Sequence, residues 1–543
     1  MGESSQKNFK LARKLNFFSS NNREKLIKEI SSSFFDVLVI GGGITGAGIC
    51  LDAASRGFKV CLVDMADFAS GTSSKSTKLI HGGLRYLEQF NFKLVKETGT
   101  ERAILHNLAP HIVKPEKMLL PITKEGKLGK FSTSLALKIY DYLAKVDNSD
   151  KKKMLSKKDT LNCEPLLRNK NITGGALYSE YRTDDSRLTI DILKKSYTYG
   201  ALPINYLKFE KLLYKNEKII GAICEDILSN KKINISSKTI INASGSWADE
   251  VLNEKKKKLV LSKGVHIVIP FKKLPLKQSI YFDALDNRMI FAIPRNKTIY
   301  IGTTDTFFDR KKDRLRVLKK EVKYLIDSAN KFFSVKINNN DILSSWVGLR
   351  PLIREKNKQV TEISRKDEIF ISKNGLITIA GGKLTGYRKM SERVVDLLCN
   401  KLFNLNKKCI TKNIKLFDTS FDEYLNKGKK LNASHKDLIK IYNIYGSKGI
   451  QIFEIQNDYN SKIKNERLLI SELIYCLKNE MCHNLIDFFT QRNAMVYFEI
   501  ERINSSIDFI KKPYMKFKNI SNDEWKKELC DLKSYINKIT TFI

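Results

Sequence analysis

Hydrophobic and polar positions follow two regimes along the chain. Up to about residue 400, short apolar runs alternate with glycine- and serine-rich turns. Beyond Thr411 the glycines thin out and apolar residues recur at helical spacing. The first strong run, Phe35-Asp36-Val37-Leu38-Val39-Ile40, has the density of a buried parallel strand. Ile44 to Arg56 suits a helix, with Ala47, Ala53 and Ala54 for close packing and Gly57 as its stop. Phe58 to Val63 reads as a second strand, ended by Asp64. A membrane helix over 34–54 is excluded by Asp36, Asp52 and five glycines.

Further on, Leu94, Val95, Ile104 and Leu105 mark a helix over 92–109, closed by Pro110 and Pro115. Met118 to Pro121 is apolar, and Leu135 to Leu143 is helical in pattern. Asp184, Asp185 and Arg187 fit the capping turn of a helix through Leu188, Ile192 and Leu193, a structural role that accounts for both aspartates. Strands are expected at 218–223 and 239–243 around a polar hairpin near Asn230. Four short strands follow at 265–269, 279–282, 289–293 and 298–302, with Asp286-Asn287 as a turn. They predict an antiparallel sheet that forms a second, substrate-side unit. Asn374 to Thr385 is strand, double glycine and then a helix through Met390 and Val394. Helices are expected over 431–445, 466–478, 485–501 and 522–539.

At 543 residues, two or three domains are expected. Lysine and arginine number 97 against 59 acids, a net charge of +38 that invites anionic partners. The lysines are scattered over surface-like stretches without interleaved aromatics, so a solvated surface is the first reading and an anionic membrane surface the second. No specific nucleic-acid platform is expected. No cysteine pair has C-x-x-C spacing, and Cys50, Cys61 and Cys224 sit in apolar runs as core thiols, so neither a disulfide framework nor a metal site is expected. The first residues lack a secretory pattern and no apolar run is long enough to span a bilayer, so a cytoplasmic location is expected. Residues 1–33 read as a loose basic leader.

The chemistry begins at Gly41, Gly43 and Gly46, whose G-x-G-x-x-G spacing follows a strand and opens a helix. Asp64 lies 64 − 41 = 23 residues on, placed to bond a ribose hydroxyl. A dinucleotide is implied. The loop Asp67 to Lys78 offers hydroxyls and amides suited to phosphate oxygens and a flavin ribityl chain. The small-residue turn at Ser244-Gly245-Ser246 lets backbone approach the cofactor. The helix after Gly381-Gly382 aims its N-terminus where negative charge develops on a reduced flavin. Four cations, Arg85, Arg350, Arg365 and Lys383, lie in or beside glycine-rich turns, although each alone could equally be a structural ion pair.

The segments GGGITGAG, DFASGTSSKSTKLIHGGLRYLEQF, EYRTDDSRLT, GTTDT, GLRPL, ISRKDEI and AGGKLTGYRKMSE, in this order over roughly 34–400, resemble the FAD-dependent glycerol-3-phosphate dehydrogenases. The resemblance implies an α/β fold: a Rossmann-like FAD-binding domain, a mixed or antiparallel-sheet substrate domain and a C-terminal α-helical domain. The oxidoreductase unit is expected over 34–410, with FAD-binding parts near 34–90, 160–255 and 340–400 and substrate-sheet parts near 91–159 and 256–339. A separate helical domain is expected over 411–543, its MCHNLIDFFTQRNAM stretch similar to the family's helical cap. Cofactor contacts are expected at Gly41, Gly42, Gly43, Ile44, Thr45, Gly46 and Asp64. They continue at Thr72, Ser73, Ser74, Lys78, Leu79, His81, Gly82 and Gly83, and then at Gly245, Gly381, Gly382, Leu384 and Thr385.

Oxidising a secondary alcohol requires a base, a cation for the alkoxide, and a clamp for the phosphate, for which planar arginines are best suited. A lone histidine on an apolar strand reads first as a satisfied sheet residue; the resemblance instead turns His266 toward the flavin as the base. We assign Arg85 and Lys383 to the reacting hydroxyl, Arg350 and Arg365 to the phosphate, and Tyr86 to the substrate. The implied reaction takes glycerol 3-phosphate to dihydroxyacetone phosphate, with electrons passed to a quinone. Open alternatives are an oxidase reoxidised by O2, an amino-acid oxidase on the related fold, and an RNA-binding flavoprotein. A homo-oligomer in peripheral contact with the inner face of the membrane is the expected setting.

Overall fold

The computed structural model describes residues 18–82, 92–124, 152–355, 367–456 and 464–543. Among these, two sheets carry the first three-quarters of the chain. The first has eight strands, built on a parallel core in the order Ile377–Gly381, Lys231–Asn242, Phe34–Ile40, Val60–Val63 and Leu202–Ile204. Val37, Leu38 and Val39 are fully buried in its centre, as an apolar run without alternation requires. The helix Ile44–Ser55 returns across it, and its closeness depends on Gly46, where a Cβ would lie 1.9 Å from the Gly41 carbonyl oxygen. The parallel strands share an edge at Ile40, Val63, Asn242 and the end of Ile377–Gly381, the carboxyl end at which such sheets bind ligands.

The second sheet has ten strands among the described residues. Its strands are antiparallel apart from the pairing of Lys114–Thr123 with Ser279–Asp283. The four expected hairpin strands are present as Leu259–Pro270, Ser279–Asp283, Met289–Arg295 and Thr298–Gly302, with Asn287 in the left-handed conformation of the expected turn. Two strands assigned by position to the cofactor-binding part, Ile172–Arg182 and Ser344–Ile353, instead join this sheet. Both follow cofactor-side segments in sequence, but their register is set by partners far along the chain. The helix Lys319–Phe332 covers the back of this sheet.

Three further expectations are corrected. Residues 18–33 are packed rather than loose. Phe18 stacks on Phe68, Leu26 and Ile30 are buried on the helix Arg23–Ser32, and the buried Arg23 pairs with Asp226 at 2.6 Å. The C-terminal region is helical but not separate, since its core is continuous with Met118, Tyr178 and Trp346 of the second sheet. The expected helix over 485–501 breaks at Ala494, which is left-handed, after a π turn at Phe488–Arg492. A long helix, Ile500–Lys518, follows and tolerates Pro513. The expected helix at 135–143 lies outside the described residues.

Candidate functional site

A cavity of about 570 Å³ runs from the carboxyl edge of the parallel strands to the face of the second sheet. Its near end is the Gly41–Gly46 turn. Gly41 holds φ +111°, a left-handed value that favours glycine, while its N–H donates to the Val63 carbonyl at 2.8 Å. The Gly42 N–H donates to Asp64 Oδ2 at 2.6 Å, and the Ile44 N–H to Ser73 Oγ at 2.9 Å. The remaining amides of that first helical turn and the positive end of its dipole make an anion site. Burial pushes the Asp64 carboxyl up to about 7, against the opposing pull of its bonds from Ala66 and Gly42.

A second helical N-terminus closes the cavity. Lys383 precedes the turn Leu384–Gly386 and the helix Tyr387–Leu397. Thr385 binds both main-chain groups of His81, accepting from its N–H at 3.2 Å and donating to its carbonyl at 3.1 Å. This ties the two glycine-turn regions, some 300 residues apart in sequence, to each other.

The far end is a ladder of two paired strands. Ser262, Gly264 and His266 lie opposite Arg350, Gly348 and Trp346, and the alternation of a strand puts all six on one face. The glycine pair leaves an opening between a His–Trp stack and a Ser–Arg contact, and both glycines border the cavity. A Cβ at Gly264 would stand 2.4 Å from Arg350 Nη2, so the guanidinium occupies the space that the missing side chain leaves. Arg350 Nη2 donates to Thr303 Oγ1 at 2.8 Å. Its Nη1 donates to the Thr304 carbonyl and pairs with Asp305 Oδ1, each at 3.2 Å.

His266 is 1% exposed and stacks on Trp346 with ring centroids 4.8 Å apart. Its Nε2 lies 3.0 Å from Thr77 Oγ1, and its Nδ1 has no hydrogen-bond partner among the described residues. Burial, followed by the charges of Arg350 and Lys78, holds the imidazole well below its usual pKa, so it is neutral at physiological pH.

Sixteen of the expected site residues border the cavity: Gly41, Gly43, Ile44, Thr45, Asp64, Thr72, Ser73, Leu79, His81, Gly245, Arg350, Gly381, Gly382, Lys383, Leu384 and Thr385. Others stand behind the wall. Gly42 packs on Phe68 and Asp64, Gly46 serves the helix crossing, and Gly82 donates to Glu180 at 3.4 Å. Ser74 is buried with its hydroxyl on the Gly71 carbonyl. Lys78 does not border the cavity: it is 1% exposed, and its Nζ is held by Asp185 at 2.5 Å and by the Ser74 carbonyl. His266 reaches the cavity through Thr77, which lines it. Gly83, Arg85, Tyr86 and Arg365 lie outside the described residues. Sequence reasoning missed Thr77, Gly264, Thr303 and Gly348, all on the wall. A signal for the glycines was present, since each stands two residues before a chosen side chain and so on the same face of its strand.

The residues present fit FAD. A dinucleotide needs an anion site at a helix N-terminus, an acid at the next strand end and backbone open to close approach, and the Ile44 turn, Asp64 and Gly245 supply these. At Gly245 a Cβ would meet nothing within 4 Å.

The family model for FAD dependent oxidoreductases matches residues 36–388. The aerobic glycerol-3-phosphate dehydrogenase of Bacillus subtilis (strain 168) is 44% identical over 516 residues, which cover 91% of this chain and 93% of that protein. The protein of the same name from Staphylococcus aureus (strain USA300) is 46% identical over 509 residues, covering 89% and 91%. The solved structure of the glycerol-3-phosphate dehydrogenase from Bacillus halodurans complexed with FAD matches with a TM-score of 0.82 and 38% identity, over 96% of this chain and 99% of that one.

Proposed function

This chain belongs to the FAD-dependent oxidoreductase family, and within it we propose that it oxidises sn-glycerol 3-phosphate to dihydroxyacetone phosphate and delivers the electrons to a membrane quinone. The observation that carries the reading is the ladder of Ser262, Gly264 and His266 against Arg350, Gly348 and Trp346, which brings a cation to the end of the cavity and a neutral imidazole behind Thr77 on its wall. The names of the similar proteins supply the substrate.

Bound FAD supplies the hydride acceptor. The Gly41–Gly46 turn would hold its pyrophosphate, Asp64 its ribose, and the amides before Tyr387 its flavin end. Arg350 clamps the substrate phosphate. The Thr303–Asp305 segment braces it, so that little side-chain entropy is lost on binding. Arg365 and Tyr86 join it on the substrate, while Lys383 and Arg85 stabilise the alkoxide. The substrate hydroxyl gives its proton to Thr77 Oγ1 as Thr77 gives its own to His266 Nε2. A neutral, buried imidazole is poised to accept that proton, and the developing alkoxide stays beside cations.

No helix among the described residues is long and apolar enough to cross a membrane. Delivery to a quinone therefore calls for peripheral contact, and the excess positive charge favours an anionic surface. Anaerobic addition of glycerol 3-phosphate to the purified yellow protein should bleach the flavin absorbance, and a short-chain quinone should restore it. Absence of bleaching would overturn the substrate assignment. Stoichiometric peroxide under air, without quinone, would overturn the acceptor assignment.

A further inference from the structure

A second cavity, of about 370 Å³, lies behind the cofactor cavity and shares part of its wall, including Gly71, Thr72, Lys75 and Gly348. Its other side is the C-terminal helix Asn522–Thr540 and the segment around Arg316. Its charges do not balance. Lys75, Arg316 and Lys538 all border it, and among the described residues none of the three meets a carboxylate within ion-pair distance. Among the described residues Lys75 donates only to phenols, Tyr497 and Tyr535, and Arg316 Nη1 donates to a main-chain carbonyl at 3.1 Å.

The acids at this cavity are engaged or displaced. Asp67 is held in a two-pronged pair by Arg492 at 2.6 and 3.0 Å. Asp487 accepts from the Tyr206 hydroxyl at 2.6 Å and the His483 N–H at 2.8 Å, and burial with the neighbouring Asp67 pushes it up to about 7. Lys312 is already paired with Glu250, and Asp313 is exposed at the rim. The surplus is felt locally: burial, then Arg316, lowers the Lys538 ammonium. The Tyr535 phenol falls below its usual range despite its burial, because Lys75 and Tyr497 face it. A neutral amide is also present. Gln491 is 5% exposed on this wall, and its Oε1, buried away from solvent, has no partner among the described residues.

We propose that this second cavity binds the phosphate monoester group of a small ligand, with Lys75, Arg316 and Lys538 as its cations and Gln491 and Tyr535 as neutral donors. Three converging cations suit a dianion better than a single carboxylate. The ligand chemistry is shared by soluble phosphate esters and by the headgroup of phosphatidic acid.

The test is equilibrium dialysis of the full-length, FAD-loaded protein against labelled inorganic phosphate at constant ionic strength, beside the Arg316→Met/Lys538→Met double variant. The double variant should bind one equivalent fewer, and each single substitution should weaken that class of site about tenfold or more. Equal stoichiometry and affinity in the parent and the double variant would overturn the proposal. Lys538→Met, at an exposed position, keeps the test available should the double variant lose its flavin. Sedimentation with phosphatidylcholine vesicles, with and without phosphatidic acid, separates the sources. A variant-sensitive response to phosphatidic acid points to the lipid headgroup, and one to free phosphate alone points to a soluble ester.

Discussion

Gly264→Ala tests the role of Arg350 without touching the arginine. Position 264 lies in the strand Leu259–Pro270, where alanine is conformationally acceptable, but its Cβ would stand 2.4 Å from Arg350 Nη2 and 2.7 Å from Thr303 Oγ1. Ordinary contact begins at 3.4 Å, so the guanidinium must retreat by at least 3.4 − 2.4 = 1.0 Å. It yields before the strand does, because it is the end of a flexible side chain and the strand is fixed by register on both sides. The retreat strains the 2.8 Å bond to Thr303 and misaims the donor fork. A misplacement of about 1 Å at a positioning group costs roughly 100-fold, or about 2.7 kcal/mol of transition-state stabilisation. The assay is kcat/KM for glycerol 3-phosphate with an artificial acceptor, read beside flavin content per protein. Arg350→Met is the benchmark and should fall at least as far. A Gly264→Ala protein with full flavin and kcat/KM within about threefold of the parent would refute the clamp.

Three other outcomes follow from the same geometry. Glu480→Gln leaves Arg187, Lys194 and Arg492 facing a neutral amide in a dry interior. It should destabilise the protein by about 3–5 kcal/mol in denaturant unfolding, and a loss under about 1 kcal/mol would contradict the network. Because His266 is held well below its usual pKa, kcat/KM should show no histidine inflexion near neutrality, whereas Thr77→Val should lower kcat about 10²-fold with flavin retained. An inflexion near pH 6.5 that disappears in His266→Gln would show the imidazole to be ordinary. The Asp64 carboxyl is raised to about 7, so its contribution to stability is complete below the ordinary carboxyl value and lost as pH rises through about 7. FAD-free protein should unfold more easily at about pH 8 than at about pH 6, and Asp64→Asn should remove part of that slope; an unchanged slope would refute the shift.

What could be read from the sequence was what local pattern determines. The Phe34–Ile40 strand, its glycine turn and the helix after it are contiguous, so one stretch specifies them together. The hairpin strands from 259 to 302 were legible for the same reason. Ile172–Arg182 and Ser344–Ile353 were misplaced because nothing local tells a strand which sheet will take it; Ser344–Ile353 is held by Leu259–Pro270, some eighty residues earlier. The ion pair that holds Lys78 was not legible from the serines and glycines around it. The lysine's partner, Asp185, lies in a motif more than a hundred residues on. Thr77 carried no signal of its own, and it matters only because the fold sets His266 behind it.

The C-terminal helices show how such long-range determination serves the site. Their apolar faces bury against the second sheet, but their position over the cofactor loop is set by charge. Arg187, on the helix capped by Asp184, grips Glu480 at 2.6 and 3.0 Å, and Lys194 grips the same carboxylate at 2.6 Å. Arg492 donates to the Glu480 carbonyl at 2.7 Å and turns its fork onto Asp67, at the start of the loop that lines the cofactor cavity. Each of these groups is almost wholly buried, so none can be left without its partner except at several kcal/mol. Apolar contact alone would allow the helices to slide, because burial is non-directional. The ionic chain allows one register, in which the Asp67 loop is fixed from behind and Lys75, farther along it, meets Tyr497 and Tyr535. The helical region thus braces from behind the loop that lines the cofactor cavity, and a boundary drawn at residue 411 by composition cuts through a single electrostatic unit.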